Sequence, residues 1–407
     1  MPTVTLLTPS IITKESLVIL DNQLVAAKKV RRDFDDKFAG KGSLTSFKIG
    51  DTLNVRKPNR FKVRTNSTLS AQDVVEESVA VKVDKIAGVD FTFSMKDLTL
   101  TIEQFSERYL QPAMATIANK IDFDVLTLYQ DVYNMVGAAR TTPATFLALG
   151  GVGRRLNEEA APKDSNRTLI VDPAAELVLS DAFKLFFNPT GAIGKQYEEA
   201  MLGRVAGLNV HMDQNVNLHT TGTVSNTTPA VDTNVTDGDA TLHLDGLNGA
   251  TVTANKGDVF SIAGVYAVNP QSRQSTGVLK QFVVTTTTTA SGSEFATLPI
   301  SPAIYGPGHV KQNVSVLPVD GDLVTFFDPS AATSTINLGF HKDAFALVTV
   351  PLEMPQGVHF AARESYEGIS MRIVRAYSIS DDTMPCRIDV LYGTKTIYPE
   401  LACRLAG

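Results

Sequence analysis

The chain has 407 residues, with 37 lysines and arginines against 43 aspartates and glutamates, for a net charge of −6. Proteins that grip nucleic acid over a broad surface are usually basic, because phosphate neutralisation supplies most of the affinity. The acidic balance argues against that task, while allowing the chain to lie close to nucleic acid without adhering to it. Apolar residues make up 43% and charged residues 20%, ordinary values for a folded chain, and the length suggests roughly two or three domains. No window approaches the ~18 apolar residues of a membrane-spanning helix. The first residues lack the basic segment and apolar core of a secretory signal, so the expected site of synthesis is the cytoplasm. Cys386 and Cys403 lie far apart outside any metal-ligand spacing and are expected to be free thiols.

In chain order, residues 1–42 mix short apolar patches with charge, as in VAAKKVRRDFDDKF, and suggest an extended or helical arm without a core. From Gly50 to Ser94 apolar and polar residues alternate on either side of the polar stretch NSTLSAQD, the pattern of a long β-hairpin. Its first side is basic, with Arg56, Lys57, Arg60, Lys62 and Arg64, and the region beyond the tip is acidic, with Asp73, Glu76 and Glu77. These charges form either a solvated ribbon face or an arm that pairs with another copy of the chain.

Pro112 suits a first helical turn and not an interior. After it Met114, Ile117, Ala118, Ile121, Val125, Leu128, Val132 and Met135 recur at steps of three and four. This predicts one helix of about 24 residues, ~36 Å long, with a single apolar stripe. Residues 142–213 read as mixed α/β: a helix from Thr142-Pro143, a strand in RTLIV, a turn at Asp172-Pro173, a second helix, and a strand in GLNVHMD. Between Asn217 and Ile300 there are 17 threonines and three cations, Lys256, Arg273 and Lys280. Short β-type runs alternate there with turn signals, which predicts an all-β module inserted into the α/β chain and ending near Leu323–Asp328. From Thr335 onward FALVTVPL, GISMRIVRAYS and CRIDVLYGTKTIYPELA read as long strands returning to the first domain.

The chemistry offered by these residues is thin. His211/Asp213 and His243/Asp245 are spaced to share one face of a strand, half of a metal site at most, and no second pair follows at ligand spacing. GGVGRR at Gly150 and GAIGKQ at Gly191 lack the residues of a phosphate loop. In His341-Lys342-Asp343 only His341 and Asp343 would share a side of a strand, so the trio reads as a polar patch on an edge strand and not as a proton-transfer site.

The order of arm, charged hairpin, long helix, α/β part, β insertion and returning strands resembles the major coat protein of tailed bacteriophages, the HK97-like fold. The likeness is nearest to the coat proteins of short-tailed Salmonella-type phages, which carry an inserted β-barrel. KGDVFSIAGVYAVNPQSRQSTGVLKQFVV (Lys256 to Val284), NLGFHKDAFALVTVPLEMP (Asn337 to Pro355), CRIDVLYGTKTIYPELACRL (Cys386 to Leu405) and GLNVHMDQN from Gly207 carry it. The arm and hairpin match by position only.

The resemblance implies an α+β fold. Its parts are an N-terminal arm over 1–42, the hairpin (E-loop) over 43–98, a spine helix over 99–141, an axial domain over 142–215, the barrel over 216–327 and return strands over 328–407. His341-Lys342-Asp343 would mark a strand start where the chain leaves the insertion. The implied function is that of a major capsid protein, closing as pentamers and hexamers around double-stranded DNA that it does not read by sequence. A scaffolding protein and a portal would be the assembly partners, with the N-terminal arm as scaffold contact. The location would be the virion after synthesis in the host cytoplasm, with no membrane, cofactor, catalysis or Lys–Asn crosslink. Arg56, Lys57, Arg60, Lys62, Arg64, Asp73, Glu76 and Glu77 would make inter-subunit contacts. Two other readings are a tail or decoration protein, and a metal-dependent hydrolase using the His-x-Asp pairs.

Overall fold

The computed structural model describes residues 9–32, 52–61, 63, 67, 71, 76–94, 109–183, 202–224, 228–247, 249, 251–328, 331–358 and 360–407. Two compact units result, each assembled from separated stretches of chain.

The first unit draws on Met1–Arg56, Ser78–Val125 and Phe345–Ile397. Its central strand is Thr383–Thr396, which carries Lys85–Ser94 along one edge and Ile369–Arg375 and Phe345–Val350 along the other, all antiparallel. Phe360–Tyr366 completes the sheet beside Ile369–Arg375. Ile388, Val390 and Tyr392 of the central strand are buried, as expected of a strand with neighbours on both edges and cover on a face.

Within the segment expected to be an arm without a core, residues 9–32 do pack into a core. Within them the helix Pro9–Gln23 lies on strand Phe360–Tyr366, and Leu17, Leu20 and Leu24 are buried at steps of three and four. The charges that obscured this stripe are paired: Asp21 lies 2.6 Å from Lys28 and 3.1 Å from Arg32. The next helix, Ala26–Lys29, has no cap from its own N-cap residue Val25. Asp122 of the helix Gln111–Leu126 supplies it, accepting from Val25 N at 2.8 Å and Ala27 N at 2.7 Å. Two orphan donors at a helix start are thus satisfied by a carboxylate 95 or more positions away in sequence.

The long helix is shorter than its apolar stripe suggests. Pro112 is its second residue, but the α-helix ends at Leu126, tightens into a 3-10 turn over Thr127–Asp131, and gives way to an extended Val132 and a strand Met135–Gly137. Val132, Tyr133 and Val136 favour extended backbone. In addition, Met135 exchanges two hydrogen bonds with the Gln281 side chain, at 2.8 and 3.0 Å. Tyr129 is buried where the stripe predicted Leu128.

The second unit draws on Lys57–Glu77, Leu126–Ala344 and Tyr398–Gly407. Its mixed sheet runs in the order Met135–Gly137, Ala402–Ala406, Thr333–His341, Arg167–Val171, Leu208–Met212, Arg204–Val205. The first and fourth of these junctions are parallel and the others antiparallel. Leu218–Thr220 pairs with the start of Thr333–His341. The helix Phe146–Glu158 covers the sheet, burying Leu149, Val152 and Leu156 against Leu169 and Leu405. Gly339 permits its close approach, because a Cβ there would fall 2.5 Å from Val152. This helix begins three residues after Pro143, where the Thr145 hydroxyl accepts from Ala148 N at 3.2 Å and caps it.

The threonine-rich stretch forms a second, antiparallel sheet in the order Val324–Phe326, Val259–Val268, Ser275–Val284, Phe295–Ser301, Thr241–Asp245, Ala230–Val231. It has its own core, including Leu242, Phe260, Ile262, Phe282 and Leu298. His341 does not start a strand on an edge. It ends Thr333–His341, which lies between two partners, and Lys342–Ala344 forms a 3-10 turn before Phe345–Val350.

Replacing Asp122 by Ala leaves two backbone donors without their acceptor. The expected loss is about 2–6 kcal/mol, at roughly 1–3 kcal/mol for each of the two unsatisfied groups, and Asp122→Asn should lose less. Urea denaturation of the purified chain measures both.

Candidate functional site

The hairpin begins in a regular ladder, Thr52–Arg56 against Ser78–Lys82, with Thr52 opposite Lys82 and Arg56 opposite Ser78. Lys57 N then donates to Glu77 O at 2.7 Å. From Lys57 the two sides of the hairpin enter charged surroundings. Arg60 faces Glu400 at 3.3 Å, and the Lys57 ammonium stands 5.5 Å from the Tyr398 ring centroid. Glu77 forms an ion pair with Lys311 of the all-β part. The Arg273 guanidinium donates to Phe61 O at 3.4 Å. A cleft of about 370 Å³ runs beside these groups and also reaches Tyr133, Glu159, Lys280 and Tyr305.

The Lys311 ammonium, bonded to Glu77, holds that carboxyl below the usual glutamate range, ahead of the opposing effect of burial and with help from Lys57 and Arg60. Of the eight charges singled out in the sequence, Arg56 and Glu76 are exposed, Lys57, Arg60 and Glu77 line the cleft, and Lys62, Arg64 and Asp73 lie outside the described residues. Arg60 and Glu77 thus each have an ion-pair partner of the same chain outside the hairpin, while Lys57 and Arg60 also act on the Glu77 charge.

Beneath the cleft the all-β part is joined to the mixed sheet by buried polar groups. Lys280, 3% exposed, places its ammonium 2.6 Å from Glu159 and 4.5 Å over the Tyr133 ring. Burial first, and the Glu159 charge second, push the Tyr133 hydroxyl well above its ordinary pKa. Arg404, 1% exposed, donates to Gly257 O at 2.5 Å and Gln130 O at 3.3 Å, with its guanidinium 5.3 Å from the Tyr129 ring centroid. Burial lowers its pKa to about 10, which still leaves it charged at neutral pH. The Asp258 carboxylate only accepts, so His219 Nε2 donates to it at 3.0 Å, and His219 Nδ1 lies 3.1 Å from the Tyr129 hydroxyl.

The sequence reading missed Arg404, His219 and Glu159. One signal was present: Lys280-Gln281 interrupts an otherwise apolar strand, and a polar pair there asks for buried partners.

The histidine candidates do not converge. His243 and Asp245 are exposed on Thr241–Asp245, while His211 is half-buried on a strand of the other sheet. Asp213 is buried, which raises its carboxyl pKa. His341 is buried with Nε2 3.2 Å from Asp164 and Nδ1 3.5 Å from Asp343, a polar corner at a strand end. Among the described residues no group of three or more His, Cys, Asp and Glu could hold a metal ion, and no helix is long and apolar enough to cross a membrane. Cys386 and Cys403 are free and buried, and burial pushes their thiols up to about 11 and about 12.

Residues 4–407 match the family model described as P22 coat protein - gene protein 5. The chain belongs to the P22 coat protein family. It is a phage coat protein, a structural component of the virion. Solved structures that are similar include one from Mycobacterium phage Che8, at 11% identity over 94% of this chain and 90% of that one, TM-score 0.49. The mature capsid of bacteriophage PhiM1 gives 11% identity over 88% and 82%, TM-score 0.44. The CUS-3 coat protein I-domain gives 22% identity over 25% of this chain and 94% of that one, TM-score 0.18. At these TM-scores the likenesses add nothing to the family match. No curated protein matches the chain.

Because the pKa of Glu77 is depressed in the folded coat protein, the Lys311 contact contributes its full stabilisation above the ordinary glutamate pKa of about 4.3. That contribution disappears as pH falls through the lowered value. Cleavage at the exposed Phe61 by an acid-active aspartic protease at graded pH, with Glu77→Gln as the pH-insensitive control, checks this. The wild-type site should stay protected above the ordinary glutamate pKa of about 4.3 and open as pH falls further below it.

Proposed function

We propose that this coat protein is the major capsid subunit, closing as pentamers and hexamers into an icosahedral shell around double-stranded phage DNA, with an HK97-like fold and an inserted β-barrel over residues 216–327. The family match across residues 4–407 carries the reading. The charged hairpin adds to it, because a closed shell needs repeated, self-complementary contacts between copies. Arg56, Lys57, Arg60, Lys62, Arg64, Asp73, Glu76 and Glu77 would form the contact with a neighbouring subunit. Each exposed pair is worth only about 0–1 kcal/mol, so hundreds of weak contacts act together.

The net charge of −6 suits a wall that encloses DNA without holding it, since a basic lining would neutralise phosphate and retain the genome. The subunit performs no catalysis in this reading and needs no cofactor. A scaffolding protein and a portal act with it during assembly in the host cytoplasm.

Electron microscopy of the chain expressed alone and together with a scaffolding protein tests this. Closed shells with the scaffold, and irregular shells or tubes without it, are expected. Monodisperse monomers or dimers under every condition would overturn the reading.

A further inference from the structure

We propose that the all-β part and the closing turn of the same chain anchor the root of the hairpin, so that Lys311, Arg273 and Glu400 aim the hairpin and do not themselves bind a neighbour. The inference rests on the reading that the hairpin bridges subunits, takes Arg60 and Glu77 out of that contact because they pair within the chain, and assigns to the threonine-rich module a positioning role for the remaining hairpin charges.

The anchor is a built surface. Arg273 adopts a left-handed backbone, φ 57°, and its guanidinium gathers three carbonyls: His309 O at 3.2 Å, Val310 O at 2.9 Å and Phe61 O at 3.4 Å. The first two hold the loop that carries Lys311, and the third belongs to the hairpin. The loop is stiffened again from within, by Tyr305 stacked on His309 with ring centroids 4.5 Å apart, and by Lys311 N donating to His309 Nδ1 at 3.0 Å. Lys311 is thus presented to Glu77 from a fixed loop. On the other side Glu400 meets Arg60 from the 3-10 turn Pro399–Leu401, which leads directly into the buried closing strand. The all-β anchor grips both sides of the hairpin, at Phe61 and Glu77, and the closing turn grips the outgoing side again at Arg60.

Energy alone would not justify such a device. Exposed ion pairs add little stability, but an isolated two-stranded ribbon is marginal in water and does not hold its own direction. An arm of about ten residues a side reaches at most ~33 Å. An error of about 10° at its root then moves its end by ~6 Å, more than the tolerance of an ion pair. Weak contacts at the root therefore decide whether a distant contact forms at all.

Charge reversal combined with subunit mixing tests the proposal, with wild-type shells as the reference. Without wild-type shells it is the capsid reading that fails, not the anchor. Glu77→Lys and Lys311→Glu should each reduce the yield of regular closed shells by about fivefold or more, the equivalent of ~1 kcal/mol per subunit, while purified monomers keep wild-type circular dichroism. The double variant, with both reversals in one chain, should restore yield. An equal mixture of the two single variants should not, because the pair lies within one chain. Rescue by the mixture would place the contact between chains and overturn the proposal. So would single variants that assemble normally, or a double variant that stays defective.

Discussion

Arg404 sits with its guanidinium inside the protein, and among the described residues no carboxylate is bonded to it. It is held by two backbone carbonyls and an aromatic face: Gly257 O, Gln130 O and the Tyr129 ring. Those partners come from three places. Gln130 lies in the 3-10 turn after the long helix, Gly257 lies two residues before the strand Val259–Val268 of the all-β part, and Arg404 lies on the closing strand. A buried charge is tolerated only where such partners are fixed, so its presence constrains all three to one arrangement. Each hydrogen bond to this buried cation is worth roughly 1.5–3 kcal/mol. The surrounding bonds obey the same logic: His219 spans Tyr129 and Asp258, and Lys280 reaches Glu159.

A rigid junction matters to a coat protein because its surface contacts are individually weak. The groups that meet the hairpin, Lys311 and Arg273, belong to the all-β part, and Glu400 is four residues from Arg404. Were the all-β part free to rock on the mixed sheet, ion pairs at the hairpin root would average out. The strong, dry interactions lie inside and fix geometry, while the weak, wet ones lie outside and can form and break as subunits associate. The first unit shows the same division, with Asp122 capping a helix start inside and Lys82 near Asp84 outside.

Much of the fold was legible in the sequence. The threonine-rich change of character, the strand–turn–helix at Asp172-Pro173 and the long final strands reflect local periodicity and turn chemistry, which a sequence displays directly. What was hidden depends on partners distant in sequence. The N-terminal residues looked like an arm because Asp21, Lys28 and Arg32 break up the leucine stripe, and only their mutual pairing leaves it free to pack. The helix stripe continued past Leu126 on paper, but Met135 was claimed by Gln281, 146 residues away. The hairpin charges were visible at once, whereas Lys311 and Glu400 as their partners were not. Arg404 in an apolar run, CRLA, was visible too, without a sign of what would hold it.

Hydrogen exchange on the purified subunit, resolved peptide by peptide, tests the rigid junction most directly. Amides of Val259–Val268 in the all-β part and of Ala402–Ala406 in the mixed sheet should open with the same free energy, because Arg404 makes them one cooperative body. In Arg404→Met both sets should lose protection together. Strands of the all-β part that open freely while the closing strand stays protected in the wild type would contradict the account.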